Sequence, residues 1–243
     1  MNRKERRKLR KDKDLIKELY SIIVKYLPKL LDMFENLTDV KNKSYVTYKM
    51  KTICVTRLFA LLCGLTTMTD ISSDDFNTND CIKNLSKICG QNLEEIPYLE
   101  TIQDVFITIN TNELRNVQKY IVKALIRSKM FDKYRFDSSF QLLFDGTGLS
   151  SHNYNLNNNC LERKHKDGKI SYYKYVLECK LVVGNIIISL DSEFIENEKM
   201  LTDKQKQDCG TNAFKRMIKR IKKNFPKYKF IITGDGLYAT LLL

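Results

Sequence analysis

The sequence predicts an α+β chain: helices over residues 1–130, then a mixed sheet over residues 131–243 whose elements follow the order β-β-β-α-β. Three observations carry that expectation. Through the first half, apolar residues recur every three or four positions, as one face of a helix requires. In the second half, runs rich in β-branched and aromatic residues replace that spacing. One long amphipathic stretch, at about 204–225, separates the last of these runs from the others.

Residues 2–14, NRKERRKLRKDKD, hold eight Lys/Arg and three acids around a single apolar Leu9, which predicts a solvated basic arm. Leu15, Ile16, Leu19, Ile22, Ile23, Tyr26, Leu27, Leu30, Leu31 and Phe34 then mark one helix face, with a kink expected at Pro28. A second helix is expected over 46–65 and a polar loop over 67–80. Shorter helices follow over 81–88 and 101–109, the latter opening on Thr101 and Asp104 at near capping-box spacing. Asn112 is the expected cap of another, whose apolar face is Leu114, Val117, Ile121, Leu125 and Ile126. Strands are expected at 140–144, 172–183, 186–195 and 229–233, with Gly184-Asn185 as the two-residue turn of a hairpin. Before the fourth strand, Phe214, Met217, Ile218, Ile221 and Phe225 give the 204–225 helix its apolar face, and Pro226 stops it.

The charge balance narrows the partners. Lys+Arg 42 against Asp+Glu 29 leaves +13, an excess that suits a polyanion, nucleic acid before an anionic membrane surface. No apolar run approaches the ~20 residues of a membrane span, and no secretory apolar region follows the basic N-terminus. Seven scattered cysteines without a C-x-x-C pair fit neither a disulfide framework nor a zinc site, and Cys160, His165, Cys179 and Cys209 have no zinc-ligand spacing. A reducing cytoplasmic setting is the expectation.

Two carboxylates stand out. LLFDGTG, from Leu142, and FIITGDG, from Phe230, each place an Asp directly after a run that reads as a buried strand. An Asp-Gly pair is a common turn signal when met alone. The element order gives the pair another meaning. In a ribonuclease H-like arrangement the first strand runs beside the fourth, so Asp145 and Asp235 end up adjacent. Adjacent carboxylates repel unless a cation sits between them, and an all-oxygen site suits Mg²⁺ or Mn²⁺.

Four blocks resemble the DDE transposases of bacterial insertion sequences, of the branch whose core opens on a strand ending Asp-Gly-Thr. They are LLFDGTGLSS from Leu142, CLERKHKDGKISYYKYVL from Cys160, KQDCGTNAFKRMIKRI from Lys206 and FIITGDGLYA from Phe230. Their order and spacing extend the likeness over about 98–239. The resemblance implies a partial ribonuclease H-like core that cleaves and joins DNA at transposon ends, with Asp145 and Asp235 as two members of a metal-binding triad. It implies supporting roles for Gly146, Thr147, Gly234 and Gly236 around the two carboxylates. Lys164, His165 and Lys166, in a loop expected beside the site, are candidate phosphate contacts. Lys215, Arg216, Lys219, Arg220, Lys222 and Lys223 on the 204–225 helix are candidate DNA contacts, with a solvated outer face as the alternative.

One departure from the family pattern shapes the expectation. The triad's third member, a Glu on a helix well beyond the second Asp, has no counterpart before Leu243. The chain as given therefore resembles the front part of a transposase, expected to be catalytically incomplete alone and to oligomerise when full-length. A non-catalytic DNA-binding or regulatory module derived from a transposase is the alternative.

Overall fold

The computed structural model describes residues 15–39, 46–74, 76–155, 159–197 and 208–239. The expected basic arm of residues 2–14 lies outside them, as do residues 204–207 of the helix expected over 204–225 and residues 240–243; within the described residues that helix begins at Gly210. The described residues belong to an α+β chain and fall into two compact units that divide between Ala124 and Leu125. Among the described residues no helix is long and apolar enough to cross a membrane.

The first unit is helical. Helices α1 (Leu15–Tyr26) and α2 (Leu30–Glu35) are one amphipathic stretch interrupted at residues 27–29, where Pro28 has no amide hydrogen to continue the ladder. Helix α3 (Met50–Leu62) is apolar on most of its circumference, and Ile53, Val55, Phe59 and Ala60 are all but sealed from water. A helix of that character belongs at the centre of a core. Around it in this unit are α4 (Asn79–Cys89) and α5 (Leu99–Thr108). Helix α4 is delimited as its sequence dictates: the Thr78 hydroxyl accepts from Cys81 N at 3.2 Å, and Gly90 closes it in the left-handed conformation.

Two expectations shift here. Helix α5 begins at Leu99, so Thr101 and Asp104 lie inside it and form no capping box. The cap of α6 (Thr111–Arg127) is Asn110, whose Oδ1 accepts from Asn112 N at 2.9 Å, because the helix starts two residues earlier than expected. The 67–80 segment also contains a short 3₁₀ turn, Thr69–Ser72.

The second unit is built on a five-stranded sheet. Strand β1 (Phe140–His152) pairs antiparallel with β3 (Ile170–Val183) on one side and parallel with β5 (Phe230–Gly234) on the other. The far edge of β3 carries β4 (Ile186–Ile195) along residues 175–183 and the short β2 (Leu161–Lys164) along residues 170–173. The β3–β4 turn is the expected hairpin, with Gly184 at φ +61°. Helix α7 (Gly210–Asn224) makes the crossover between β4 and β5. Phe140, Leu142 and Phe144 alternate with exposed or half-buried neighbours along β1, and with Leu177, Cys179 and Leu181 of β3 they form the buried face of the sheet. Ala213, Phe214, Met217 and Ile221 bury the inner side of α7, and the Phe214 ring meets Phe144 edge-on at 4.8 Å.

The sheet corrects the sequence reading in two places. Strand β1 does not end at residue 144: it runs eight residues further, and Asp145 and Gly146 are paired with Glu178 and Leu177 of β3. There is no Asp-Gly turn at this position, because long antiparallel pairing with β3 keeps the backbone extended. Strand β2 arises in what reads as a polar loop, since residues 161–164 complete the outer edge of β3.

Candidate functional site

Parallel pairing decides where the two aspartates fall. The last registered pair of β1 and β5 is Phe144 with Gly234, so Asp145 and Asp235 each follow it by one residue on neighbouring strands. Alternation along β1 turns Asp145 away from the α7 face to which Phe144 points. Asp235 occupies the junction between β5 and the short helix α8 (Gly236–Ala239), where its carbonyl accepts from Tyr238 N at 2.9 Å. Both aspartates are exposed.

An aromatic layer supports them. The Tyr175 ring of β3 lies over Gly146, where an added Cβ would stand 2.6 Å from Cε1, and the Tyr175 hydroxyl donates to Gly146 O at 2.8 Å. Gly146 thus makes room for an aromatic side chain of the neighbouring strand. Tyr238 stacks on Phe214 at 5.0 Å and closes on Gly234, whose position would bring a Cβ to 3.2 Å from the Tyr238 ring. Burial, with the Tyr175 hydroxyl and the carboxylates of Asp235 and Asp145 nearby, holds the Tyr238 phenol above its ordinary pKa. Tyr238 is therefore a protonated, buried neighbour common to both aspartates at neutral pH. Sequence reasoning missed both tyrosines; the only trace of them was a glycine after each strand run.

The remaining candidates are placed as follows. Thr147 is exposed on the same face as Asp145, two residues along, and pairs with Val176. Gly236 has open space around its Cβ position, so nothing there requires glycine. Glu178, directly opposite Asp145 on β3, is bridged by Lys180 Nζ at 3.2 Å. Among the described residues no group of three or more His, Cys, Asp and Glu side chains gathers as a metal cage would.

Lys164, His165 and Lys166 are not beside the aspartates. Lys164 pairs with Ile170 at the tip of the β2–β3 hairpin, and Glu178, the partner of Asp145, is eight residues further along β3. At the rise of a β-strand that is roughly 25 Å of chain. The tip is a tight turn, in which His165 N donates to Lys169 O at 2.8 Å and His165 Nε2 lies 2.9 Å from Ser171 Oγ. The extension of β1 past Asp145 carries this tip away from the site.

The cations of α7 separate into two sets. Arg216 holds Asp208 through both terminal nitrogens, at 2.7 and 3.1 Å, and Glu193 through Nε at 2.6 Å. Arg220 holds Asp191 at 2.6 Å and pairs with Glu193 at 2.8 Å. Burial would raise the Asp208 carboxyl, yet the Arg216 hydrogen bonds and charge keep it below the usual carboxylate range. These arginines brace α7 against β4. Lys215, Lys219, Lys222 and Lys223 lie on the exposed side of the same helix.

The donor set at Asp145 and Asp235 fits a hard divalent cation. Two neighbouring exposed carboxylates can share one Mg²⁺ whose other positions are filled by water and phosphate oxygens, the ordinary way proteins hold this ion. No family model, no curated protein and no solved structure matches this chain.

Proposed function

We propose that this chain is a DDE-type transposase polypeptide with a ribonuclease H-like core, acting on DNA phosphodiesters at transposon ends with Asp145 and Asp235 as ligands of Mg²⁺ or Mn²⁺. The observation that carries the reading is the parallel register of β1 and β5: its last pair is Phe144 with Gly234, so Asp145 on β1 and Asp235 at the end of β5 each follow that pair by one residue. The sheet order supports it further: an antiparallel partner on one side of β1, and on the other a parallel partner reached through a helical crossover.

The chain's own residues do three things in this reading. Asp145, fixed on a central strand paired on both sides, supplies an oxygen ligand from rigid backbone. Asp235 supplies a second from the mouth of β5. Tyr175 and Tyr238 pack against Gly146 and Gly234, the glycines next to the two aspartates, and so hold the backbone that carries the pair. A bound divalent ion would neutralise the pair and polarise a phosphoryl oxygen of the scissile link.

The non-catalytic DNA-binding reading has one observation in its favour: Glu178, opposite Asp145 on β3, is paired with Lys180 Nζ at 3.2 Å, which leaves only two carboxylates for a cation. Mn²⁺ binding separates the two. Titration calorimetry of the chain should show Mn²⁺ binding that weakens at least about tenfold in Asp145→Asn and in Asp235→Asn, each of which removes a full ligand charge. Duplex DNA affinity should be nearly unchanged in both. Equal Mn²⁺ affinity in wild type and both variants would remove the metal site and leave the non-catalytic reading.

A further inference from the structure

The structure points to the outer face of α7 as a docking surface for the sugar-phosphate backbone of duplex DNA; we infer that Lys215, Lys219, Lys222 and Lys223 form it. At about 100° per residue these four fall within an arc of roughly 100°. That arc is opposite the buried Ala213, Phe214, Met217 and Ile221. All four are exposed and have no salt-bridge partner among the described residues.

Two observations distinguish this face from a solvated one. The helix, GTNAFKRMIKRIKKN, contains no acidic residue, so no Glu or Asp one turn away relieves the like-charge repulsion of Lys215 with Lys219, Lys219 with Lys222 and Lys219 with Lys223. Lys222 and Lys223 gain from the negative end of the helix dipole, but Lys215 and Lys219 lie before the last turn and gain little. The carboxylates nearby are also spoken for: Asp191, Glu193 and Asp208 are held by Arg216 and Arg220. The structure thus neutralises the inward cations of α7 and leaves a row of like charges facing outward. A row of anions with regular spacing complements it. From Lys215 to Lys223 the helix advances about 12 Å, the axial rise of three to four base pairs of a duplex. The inference rests on the transposase reading only in naming DNA as that polyanion.

The test is fluorescence anisotropy on the whole chain with a random-sequence duplex of about 30 base pairs, titrated from about 50 to about 200 mM salt. Replacing all four lysines by Gln should weaken binding at least tenfold. It should also reduce the magnitude of the slope of log K against log salt by about three, at about 0.9 for each phosphate no longer neutralised. Replacing all four by Arg should preserve both, and circular dichroism should be unchanged in either variant. An unchanged slope in the Gln variant overturns the inference, as does weakened binding in the Gln and Arg variants alike. Absence of salt-dependent DNA binding by the wild type, or binding transferred to phosphatidylserine vesicles, overturns it too. Mn²⁺ affinity reads the aspartate pair independently, so failure at the lysine face leaves the metal reading to stand or fall separately.

Discussion

Gly146 shows how one residue's identity is set by a neighbour 29 positions away. It sits in an extended strand, where any residue can adopt the backbone, but the Tyr175 ring occupies the place of its side chain. Gly146→Ala therefore drives a methyl into an aromatic edge held by a hydrogen bond to the same residue. Overpacking of this kind costs about 1–3 kcal/mol, and a urea titration of the whole chain should show it. The penalty should fall to a few tenths in a Tyr175→Leu background, where the ring is gone; a full penalty there would mean that the glycine serves another purpose. Tyr175→Phe, which keeps the ring and loses only the hydrogen bond to Gly146 O, should cost about 1 kcal/mol. What was legible in the sequence is that Asp145 follows a buried apolar run on a strand paired with the one that leads to Asp235. The aromatic support of Asp145 was not legible, because cross-strand register depends on the length of β1, and no local signal marked the strand's continuation through Asp-Gly-Thr-Gly.

At the scale of elements, the brace between α7 and β4 carries the clearest energetic consequence. Asp191 is nearly buried; Arg220 Nε meets its carboxylate at 2.6 Å, and Ser192 N donates to Oδ1 at 2.9 Å. Asp191→Ala leaves the Arg220 guanidinium without that partner and should destabilise the second unit by about 2–3 kcal/mol, below the roughly 3–5 kcal/mol of a fully buried pair because Arg220 is partly exposed and keeps Glu193. Arg220→Met in addition should recover part of the loss, since the double change removes the stranded charge; a strictly additive double mutant would contradict the pairing. The Asp208 carboxyl adds a pH signature. Its folded pKa lies below the unfolded value, so its contribution is complete above about pH 4 and is lost as pH falls through the folded pKa. Unfolding midpoints of wild type and Asp208→Asn should differ most above about pH 5, and the difference should shrink as pH falls from about 4 through the folded pKa. The helices were legible in outline because the 3.6-residue spacing of apolar side chains is local, and the break at Pro28 was legible because proline's chemistry is local too. The arginines of α7 looked like outward cations because their acidic partners lie on β4 and at Asp208, up to 29 residues earlier, and periodicity alone does not assign a flanking position to protein or solvent.

At the scale of the whole molecule, each unit has its own apolar interior, and the cysteines sample both. Cys54, Cys81 and Cys89 are buried in the first unit, and Cys160 and Cys179 in the second; Cys63 is half-buried and Cys209 exposed. None of the seven is in a disulfide. Burial pushes Cys54 up to about 12 and Cys89 to about 11, and Cys179 higher again with Asp191 and Glu178 adding to the effect. Disulfide exchange requires a thiolate that the reagent can reach, so at pH 8 the folded chain should present Cys209 first and Cys63 slowly. The five buried thiols should react only as fast as their own unit opens. Labelling with a chromogenic disulfide reagent should give one fast thiol, one slow thiol and a protected remainder, and all seven should react at once in denaturant. The sign of the alkaline effect follows. An unfolded thiol ionises near pH 9 while the folded one stays protonated to 11 or above, so stability is complete below pH 9 and falls as pH rises toward the folded values. Cys54→Val, which keeps an apolar group of similar size and removes the titrating thiol, should reduce the loss between pH 8.5 and 10.5 by roughly 1–2 kcal/mol. Fast modification of Cys54 or Cys179 in the folded chain, or an alkaline loss that Cys54→Val leaves untouched, would show that these interiors are open to water.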